Sequence, residues 1–359
     1  MADIKVTLAA ERNTPPSEDV LGFGKIFTDH MFVMDYITGQ GWHNPRIVPY
    51  GEVPLYPSAM VLHYGQAIFE GIKAFRTIDN RVAIYRPVDH LNRLNRSAEI
   101  LCIPKLDVEL LHKGLNQLID IDRQWVPAPL GTSLYIRPFV IAADPYIGVK
   151  VADHYTYFVI LSPVGAYYAS GFKPVKIKVE QYYARTVKGG LGEAKTPGNY
   201  AASLKASEEA KKEGFTQVLW LDAVEKKYVE EVGTMNIFFK IDDELITPEL
   251  NGSILAGITR RSVIEAARDW GMKVTERRIA IEEIYAAHSQ GRLREVFGSG
   301  TAAVISPVGE LSWQGKKIII NNNQTGETSQ KLFDYITGIQ QGRVDDKFGW
   351  IHEVANLHK

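Results

Sequence analysis

The chain has 359 residues, is 45% hydrophobic and carries a formal net charge of −1. That length suffices for about two domains with real cores, and the balanced charge excludes a global electrostatic footprint for nucleic acid or a membrane surface. The single cysteine, Cys102, excludes an intrachain disulfide and fits a reducing compartment. The N-terminus has no basic-then-apolar signal pattern, and no apolar run approaches the ~20 residues of a spanning helix, so a soluble cytoplasmic protein is expected.

The first twenty residues are polar, include Pro15-Pro16, and read as a loosely held arm. Met31–Tyr36 is dense in apolar and aromatic residues and predicts a strand, with Gly39-Gln-Gly41 and Pro45 as punctuation. Val61-Leu-His-Tyr64-Gly leads to Phe69-Glu70-Gly71, and Val82–Tyr85 follows as a strand. Asp89–Leu101 is an amphipathic helix, because Leu91, Leu94, Ala98 and Leu101 share one face at the 3.6 period. Arg93 and Arg96 lie three apart on it and read equally well as solvated charges. Leu106–Ile121 repeats the helical pattern. Ser133–Ile141 alternates, with Ser133, Tyr135 and Arg137 on one face and Leu134 and Ile136 on the other. A strand face carrying Tyr and Arg suits a pocket wall, and an exposed face would read the same. Tyr155–Leu161 is a further strand.

Residues 163–174 are rich in Gly, Ala and Pro without periodicity and read as an interdomain loop. They separate a small α/β domain, 1–162, from a larger one, 175–359. In the second half strands alternate with helices. The strands are Val175–Glu180, Thr216–Leu221, Met235–Ile241 and Lys273–Glu276, and the helices Ala201–Glu213, Thr259–Trp270, Ile281–Ala287 and Leu332–Gln341.

Gly189-Gly-Leu-Gly192-Glu-Ala-Lys195-Thr-Pro-Gly198-Asn-Tyr200 stands out, with four glycines in ten residues around one lysine. Such a backbone turns tightly or approaches something closely. A lysine amine can be deprotonated and can attack a carbonyl. The stretch is also one residue from a P-loop, and Val218–Asp222 downstream resembles a strand ending in a magnesium ligand. Ala194 replaces the glycine that pattern needs, however, and Pro197 has no N–H to offer a phosphate. Nine histidines without i,i+4 or Cys/His spacing argue against a metal site, and no G-x-S-x-G elbow is present.

Two stretches suit anions. Leu255-Ala-Gly257-Ile258-Thr259-Arg260 opens a helix, and Gly298-Ser-Gly-Thr301-Ala302 is a run of N–H groups after a strand. With a loop lysine they suggest a cofactor bearing a phosphate and a carbonyl. Glu230-Glu231-Val-Gly233-Thr234 sets an acid before a turn, where a carboxylate could hold the pyridine nitrogen of pyridoxal 5'-phosphate (PLP). Tyr200 could donate to that cofactor's phenolate.

These stretches resemble the branched-chain-amino-acid aminotransferases, PLP enzymes of fold type IV. The likeness also runs through Phe23–Met31, Leu62-His-Tyr64, Phe69-Glu-Gly71, Leu134–Pro138, Glu231–Asn236 and Phe297–Ala302. It implies a two-domain α/β (α+β) fold of the D-amino-acid aminotransferase-like kind. In it, Lys195 would carry PLP as a Schiff base and shuttle the proton. Glu231 would pair with the pyridine nitrogen and Tyr200 with the ring oxygen. Arg93 would grip the phosphate, joined by Ile258, Thr259 and Thr301, with Thr234, Leu255 and Gly257 also lining the cofactor. The substrate's α-carboxylate would sit on the N–H groups of Thr301 and Ala302. Phe23, Tyr64, Phe69, Tyr135 and Tyr167 would form the apolar pocket, Val149 would reach the partner's pocket in a homodimer, and Arg137 would take the γ-carboxylate of glutamate. The implied reaction moves an amino group between leucine, isoleucine or valine and 2-oxoglutarate. Where the mammalian members carry a Cys-x-x-Cys pair, this chain has Ala303 and Ser306, which excludes thiol control of that kind. A D-amino-acid aminotransferase, an aminodeoxychorismate lyase, a P-loop-like nucleotide-binding protein and a binding protein with a dead site are the alternatives.

Overall fold

Alternation along Ser133–Ala142 and His154–Val164 decides the first half of the molecule. Leu134, Ile136, Val140 and Ala142 of one strand and Tyr155, Tyr157, Val159 and Leu161 of the other all enter one core. A computed structural model describes residues 3–165 and 172–356. The chain divides into two compact units: Met1–Tyr167 with Ala194–Pro197 and Gly338–Lys359, and Tyr168–Glu193 with Gly198–Thr337. The structure is mixed α/β, as expected.

In the first unit the strand order is Lys5–Val6, Gly41–Pro49, His30–Ile37, His154–Val164, Ser133–Ala142, Ile72–Arg76, Val82–Tyr85 and Ile351–Glu353. Ala67–Phe69 also pairs with Ser133–Ala142. The helices Pro87–Ile100 and Val108–Ile121 deliver Leu91, Leu94, Ala98, Leu111, Leu115 and Leu118 to the same core. Asp107 starts the second helix by accepting from the N–H groups of Glu109 and Leu110. That helix crosses Phe32 at Gly114, where a Cβ would lie 2.5 Å from the ring.

The N-terminal arm is fastened rather than loose. Lys5–Val6 pairs with the strand Gly41–Pro49, and the Ala9 N–H donates to His30 Nε2 at 2.9 Å. Asn13 donates its backbone N–H and its Nδ2 to Asp29 Oδ1 at 3.0 and 2.7 Å. Since His30 Nε2 accepts, Nδ1 carries the proton and donates to Asp122 Oδ1 at 2.6 Å, while Asp122 Oδ2 accepts from the His30 N–H. A polar segment shows no period, and its partners are distant in sequence, so nothing local announces the clamp.

A buried ion cluster joins the helix Pro87–Ile100 to the sheet. Arg93 donates from Nε to Glu70 Oε1 at 2.7 Å and from a terminal nitrogen to Oε2 at 2.8 Å. His90 Nδ1 lies 2.9 Å from the same Oε2. Burial pushes the Glu70 carboxyl up, but the Arg93 charge and the hydrogen bonds from Arg93 and His90 outweigh it and hold it well below its ordinary range. Burial pushes His90 down, against the pull of Glu70.

In the second unit six strands close on themselves: Val229–Val232, Gln217–Leu221, Val175–Val179, Val304–Trp313, Leu293–Gly300 and Met235–Ile241, which pairs back to Val229–Val232. Glu244–Thr247 and Lys273–Glu276 extend the sheet from Met235–Ile241. Ile177, Leu219, Val232, Ile237, Phe239 and Leu311 fill the core. The helix expected over 201–213 breaks into Pro197–Ala201 and Leu204–Lys212. The helix expected from Leu332 begins earlier, at Glu327, because Glu295 on a distant strand accepts from the N–H groups of Thr328 and Ser329. Pro163 and Val164 lie in a strand, and 166–171 of the expected interdomain loop fall outside the described residues.

Two stability effects follow from these buried groups. Asp122→Ala should cost about 3 kcal/mol in denaturant unfolding, because it strands a buried imidazole and a backbone N–H. Glu70→Gln should cost about 3–5 kcal/mol near neutrality by leaving Arg93 uncompensated. Since the folded Glu70 is depressed, its contribution is complete above the ordinary carboxylate range and is lost as pH falls through the folded value. Melting curves should therefore show a constant gap to the wild type above about pH 4.5, narrowing in stronger acid.

Candidate active site

The central lysine lies in a turn that its own glycines could not hold still. The Lys195 N–H donates to Ser97 Oγ at 2.9 Å, and its carbonyl accepts from the Phe69 N–H at 3.0 Å. Thr196 Oγ1 donates to the Ala67 carbonyl at 2.8 Å. The backbone is thus tied on both sides, while the half-buried side chain places Nζ 5.1 Å from the Phe69 ring centroid. Pro197 opens the short helix Pro197–Ala201, on which Tyr200 is half-buried. Glycine is required at 192, where a Cβ would stand 2.2 Å from the Ser253 carbonyl oxygen.

The likeness to a P-loop does not extend to the geometry. The helix after Lys195 has five residues. Asp222, the would-be magnesium ligand, accepts instead from the backbone N–H groups of Val224, Glu225, Lys227 and Tyr228 and so closes a turn.

Around Phe69 the first unit builds an aromatic wall that Arg137 joins beside Lys195. The Arg137 guanidinium carbon lies 4.9 Å from the Phe69 centroid and 5.2 Å from that of Tyr135, and a terminal nitrogen donates to the Tyr135 hydroxyl at 3.1 Å. Phe23 meets Tyr135 edge-on at 5.0 Å. The Nε of Arg137 is buried and has no hydrogen-bond partner among the described residues. Arg137 and Lys195 thus both lie over the Phe69 ring, and Arg137 and Phe23 both meet Tyr135. Arg93, on the helix that also supplies Ser97, holds its guanidinium on both oxygens of the Glu70 carboxylate. Tyr64 is exposed and donates its hydroxyl to the Ile147 carbonyl, and Val149, two residues on, is 83% exposed. Tyr167 lies outside the described residues.

In the second unit the register sets Glu231, Asn236 and Ser299 opposite one another on three adjacent strands, so their side chains share a face. Glu231 receives Asn236 Nδ2 on Oε1 at 3.1 Å and the Arg185 guanidinium on Oε2. Asn236 Nδ2 also donates to the Leu255 carbonyl at 2.9 Å. Gly257 lets the chain pass the same amide, since a Cβ there would lie 1.9 Å from Asn236 Oδ1. Gly257 then opens the helix Ile258–Asp269 without any side-chain cap, leaving the first N–H groups, those of Ile258 and Thr259 among them, directed out of the helix end. Thr234 is exposed in the tight turn after Glu231, with Gly233 at φ +57°. Thr301 and Ala302 are half-buried in the turn ending the strand Leu293–Gly300. One asparagine thus fastens a buried carboxylate to an anion-seeking helix end, in line with Ser299, whose buried hydroxyl has no partner among the described residues.

Ser97, Glu70, Arg185, Asn236 and Ser299 escape a reading of the sequence. Asn236 had a signal, as it closes the Glu231–Asn236 stretch. Arg185 had none, standing in an aperiodic segment beside Tyr182-Tyr183.

The model of the family "Amino-transferase class IV" matches residues 67–311, which span every group of the site described above except Phe23 and Tyr64. "Branched-chain-amino-acid aminotransferase 2" of Bacillus subtilis (strain 168) is 57% identical over 99% of this chain and 98% of its own length. A "Probable branched-chain-amino-acid aminotransferase" of Staphylococcus aureus (strain N315) is 53% identical over 97% of each. Among solved structures, the branched-chain aminotransferase of the thermophilic archaeon Thermoproteus uzoniensis with norvaline superimposes with a TM-score of 0.74 at 29% identity, covering 90% of this chain and 100% of that one. A pinned lysine, a buried carboxylate and an uncapped helix end thus lie within a family match of more than half the chain and alongside near full-length relatives, and the chain belongs to the class IV aminotransferases, in their branched-chain-amino-acid aminotransferase family.

Proposed function

We propose that this protein is a PLP-dependent transaminase that moves the amino group reversibly between L-leucine, L-isoleucine or L-valine and 2-oxoglutarate. The observation that carries the reading is Lys195, whose backbone is tied on both sides and whose amine faces Phe69 beside Arg137. The donor set fits a phosphorylated pyridine: a buried carboxylate, an uncapped helix end and a lysine amine. Glu231 would meet the pyridine nitrogen and Tyr200 the ring oxygen. Arg93, Ile258, Thr259 and Thr301 would hold the phosphate, with Thr234, Leu255 and Gly257 lining the cofactor. When bound, PLP supplies an electron sink that makes the substrate's Cα proton acidic.

The chain's own groups do the rest. Lys195 would hold the cofactor through its amine and, once released, would carry the proton to and from Cα. The N–H groups of Thr301 and Ala302 orient the α-carboxylate. Phe23, Phe69 and Tyr135 exclude water from an aliphatic side chain, with Tyr64 completing that wall. Arg137 gives the γ-carboxylate of glutamate its partner, a role supported by the unpartnered buried Nε. Tyr56, Leu62, Ile147 and Val149 are 70, 61, 69 and 83% exposed. Apolar exposure on that scale supports a homodimer in which a second copy covers them and Val149 reaches the partner's pocket. No helix among the described residues is long and apolar enough to cross a membrane, and we place the enzyme in the cytoplasm.

The purified protein should show a visible absorbance band that bleaches with L-leucine, not D-leucine, and returns with 2-oxoglutarate. A protein that stays colourless after incubation with PLP overturns the reading. Lys195→Ala should abolish transamination with the fold intact by circular dichroism. Arg137→Gln should weaken kcat/KM for glutamate ~10- to 100-fold more than for leucine, the worth of a charge-assisted hydrogen bond of about 1.5–3 kcal/mol. Equal losses would show that Arg137 does not meet the γ-carboxylate.

A further inference from the structure

We propose that Arg185 is a positioning residue that keeps Glu231 a carboxylate and so sets how tightly the second unit grips a protonated pyridine nitrogen. The inference rests on the reading that this site holds PLP, and adds a residue to it.

Glu231 is nearly sealed from water, its side chain 5% exposed. A carboxylate in such a place is driven towards its neutral form by desolvation. The preceding residue shows the tendency: burial pushes the Glu230 carboxyl up, the neighbouring charge of Glu231 adds to the push, and the Ser253 hydroxyl only partly opposes it. Glu231 thus has an acid beside it as well as low polarity around it. A neutral carboxyl would lose the ion pair with a pyridinium, whose hydrogen bond is at its strongest when the acceptor is charged as well as the donor.

Arg185 supplies what is missing. Its side chain is 8% exposed and its terminal nitrogen donates to Glu231 Oε2. A guanidinium does not lose its proton in proteins, so the countercharge is permanent. Arg260, on the helix Ile258–Asp269, also senses Glu231, and its terminal nitrogen is committed to the Pro248 carbonyl and to Glu276. Asp222, the remaining acid near Glu230, has its oxygens on backbone N–H groups. Asn236 contributes no charge. Both hydrogens of its Nδ2 are used, one on Glu231 Oε1 and one on the Leu255 carbonyl, so it fixes where the carboxylate sits while Arg185 fixes its charge.

The test is a titration of the apoenzyme with PLP, followed by quenching of protein fluorescence, from about pH 6 to about pH 9. Arg185→Gln should bind at least about tenfold weaker than the wild type at the acid end and approach it at the alkaline end, because Glu231 then protonates within the range. Arg185→Lys should restore a flat ratio to the wild type. An Arg185→Gln ratio that is constant with pH, or Arg185→Lys that fails to flatten it, overturns the proposal, since a merely structural arginine would lower affinity evenly. The double variant Arg185→Met/Glu231→Gln leaves no uncompensated buried charge and guards against a single variant that does not fold. Its ratio to the wild type should be flat, and a pH-dependent ratio there also overturns the proposal. A wild-type protein that binds no PLP at any pH instead overturns the function proposed above.

Discussion

The chemistry proposed for this chain depends on holding still a lysine in a part of the chain that is built to turn. Gly189, Gly190 and Gly192 give that segment the freedom to reverse and to pass within contact of the Ser253 backbone. The same freedom would let Lys195 wander, and a nucleophile that samples many positions forfeits most of the advantage of proximity. Ser97, Phe69 and Ala67 remove it with three hydrogen bonds to the backbone and side chain of residues 195–196. The result is a fixed Cα under a flexible four-carbon stem, which suits an amine that must hold a group and then let go of it.

Buried carboxylates recur in both units, and several are paired. Glu70 binds Arg93 and His90, Glu231 binds Arg185 and Asn236, and Asp122 binds His30. Such pairs contribute little net stability, because desolvation offsets most of the attraction. What they supply is orientation. The fork of Arg93 is held by the two oxygens of Glu70 on the helix that also carries Ser97. One buried carboxylate therefore influences both a cation proposed to meet phosphate and the helix that pins the lysine. Glu295 does a simpler version of this, capping the helix Glu327–Gln340 from across the second unit.

Much of the architecture was legible because it rests on local periodicity. The strands Met235–Ile241 and Lys273–Glu276 stand at the bounds expected for them, and the helices Pro87–Ile100 and Val108–Ile121 follow their apolar stripes within two residues at each end. The misreadings share one cause. The N-terminal arm and the start of the helix Glu327–Gln340 are held by side chains far away in sequence, so neither carries a period or a cap of its own. The split of 201–213 into two short helices likewise has no strong local breaker.

The sequence by itself determined the chemical vocabulary: one lysine among glycines, an acid before a Gly-Thr turn, a Tyr-x-Arg strand face and a helix opened by glycine. Side-chain chemistry and backbone freedom are properties of residue types and short spacings, so they survive without a structure. Only the tertiary structure decided the supporting groups. Ser97 and Glu70 serve Lys195 and Arg93 because helix and sheet bring them there, and Asn236 and Arg185 meet Glu231, with Ser299 in line beyond Asn236, because strand register and loop closure do. Hydrogen bonds of this kind act over about 3 Å in space at any separation along the chain, and no local pattern encodes that coincidence.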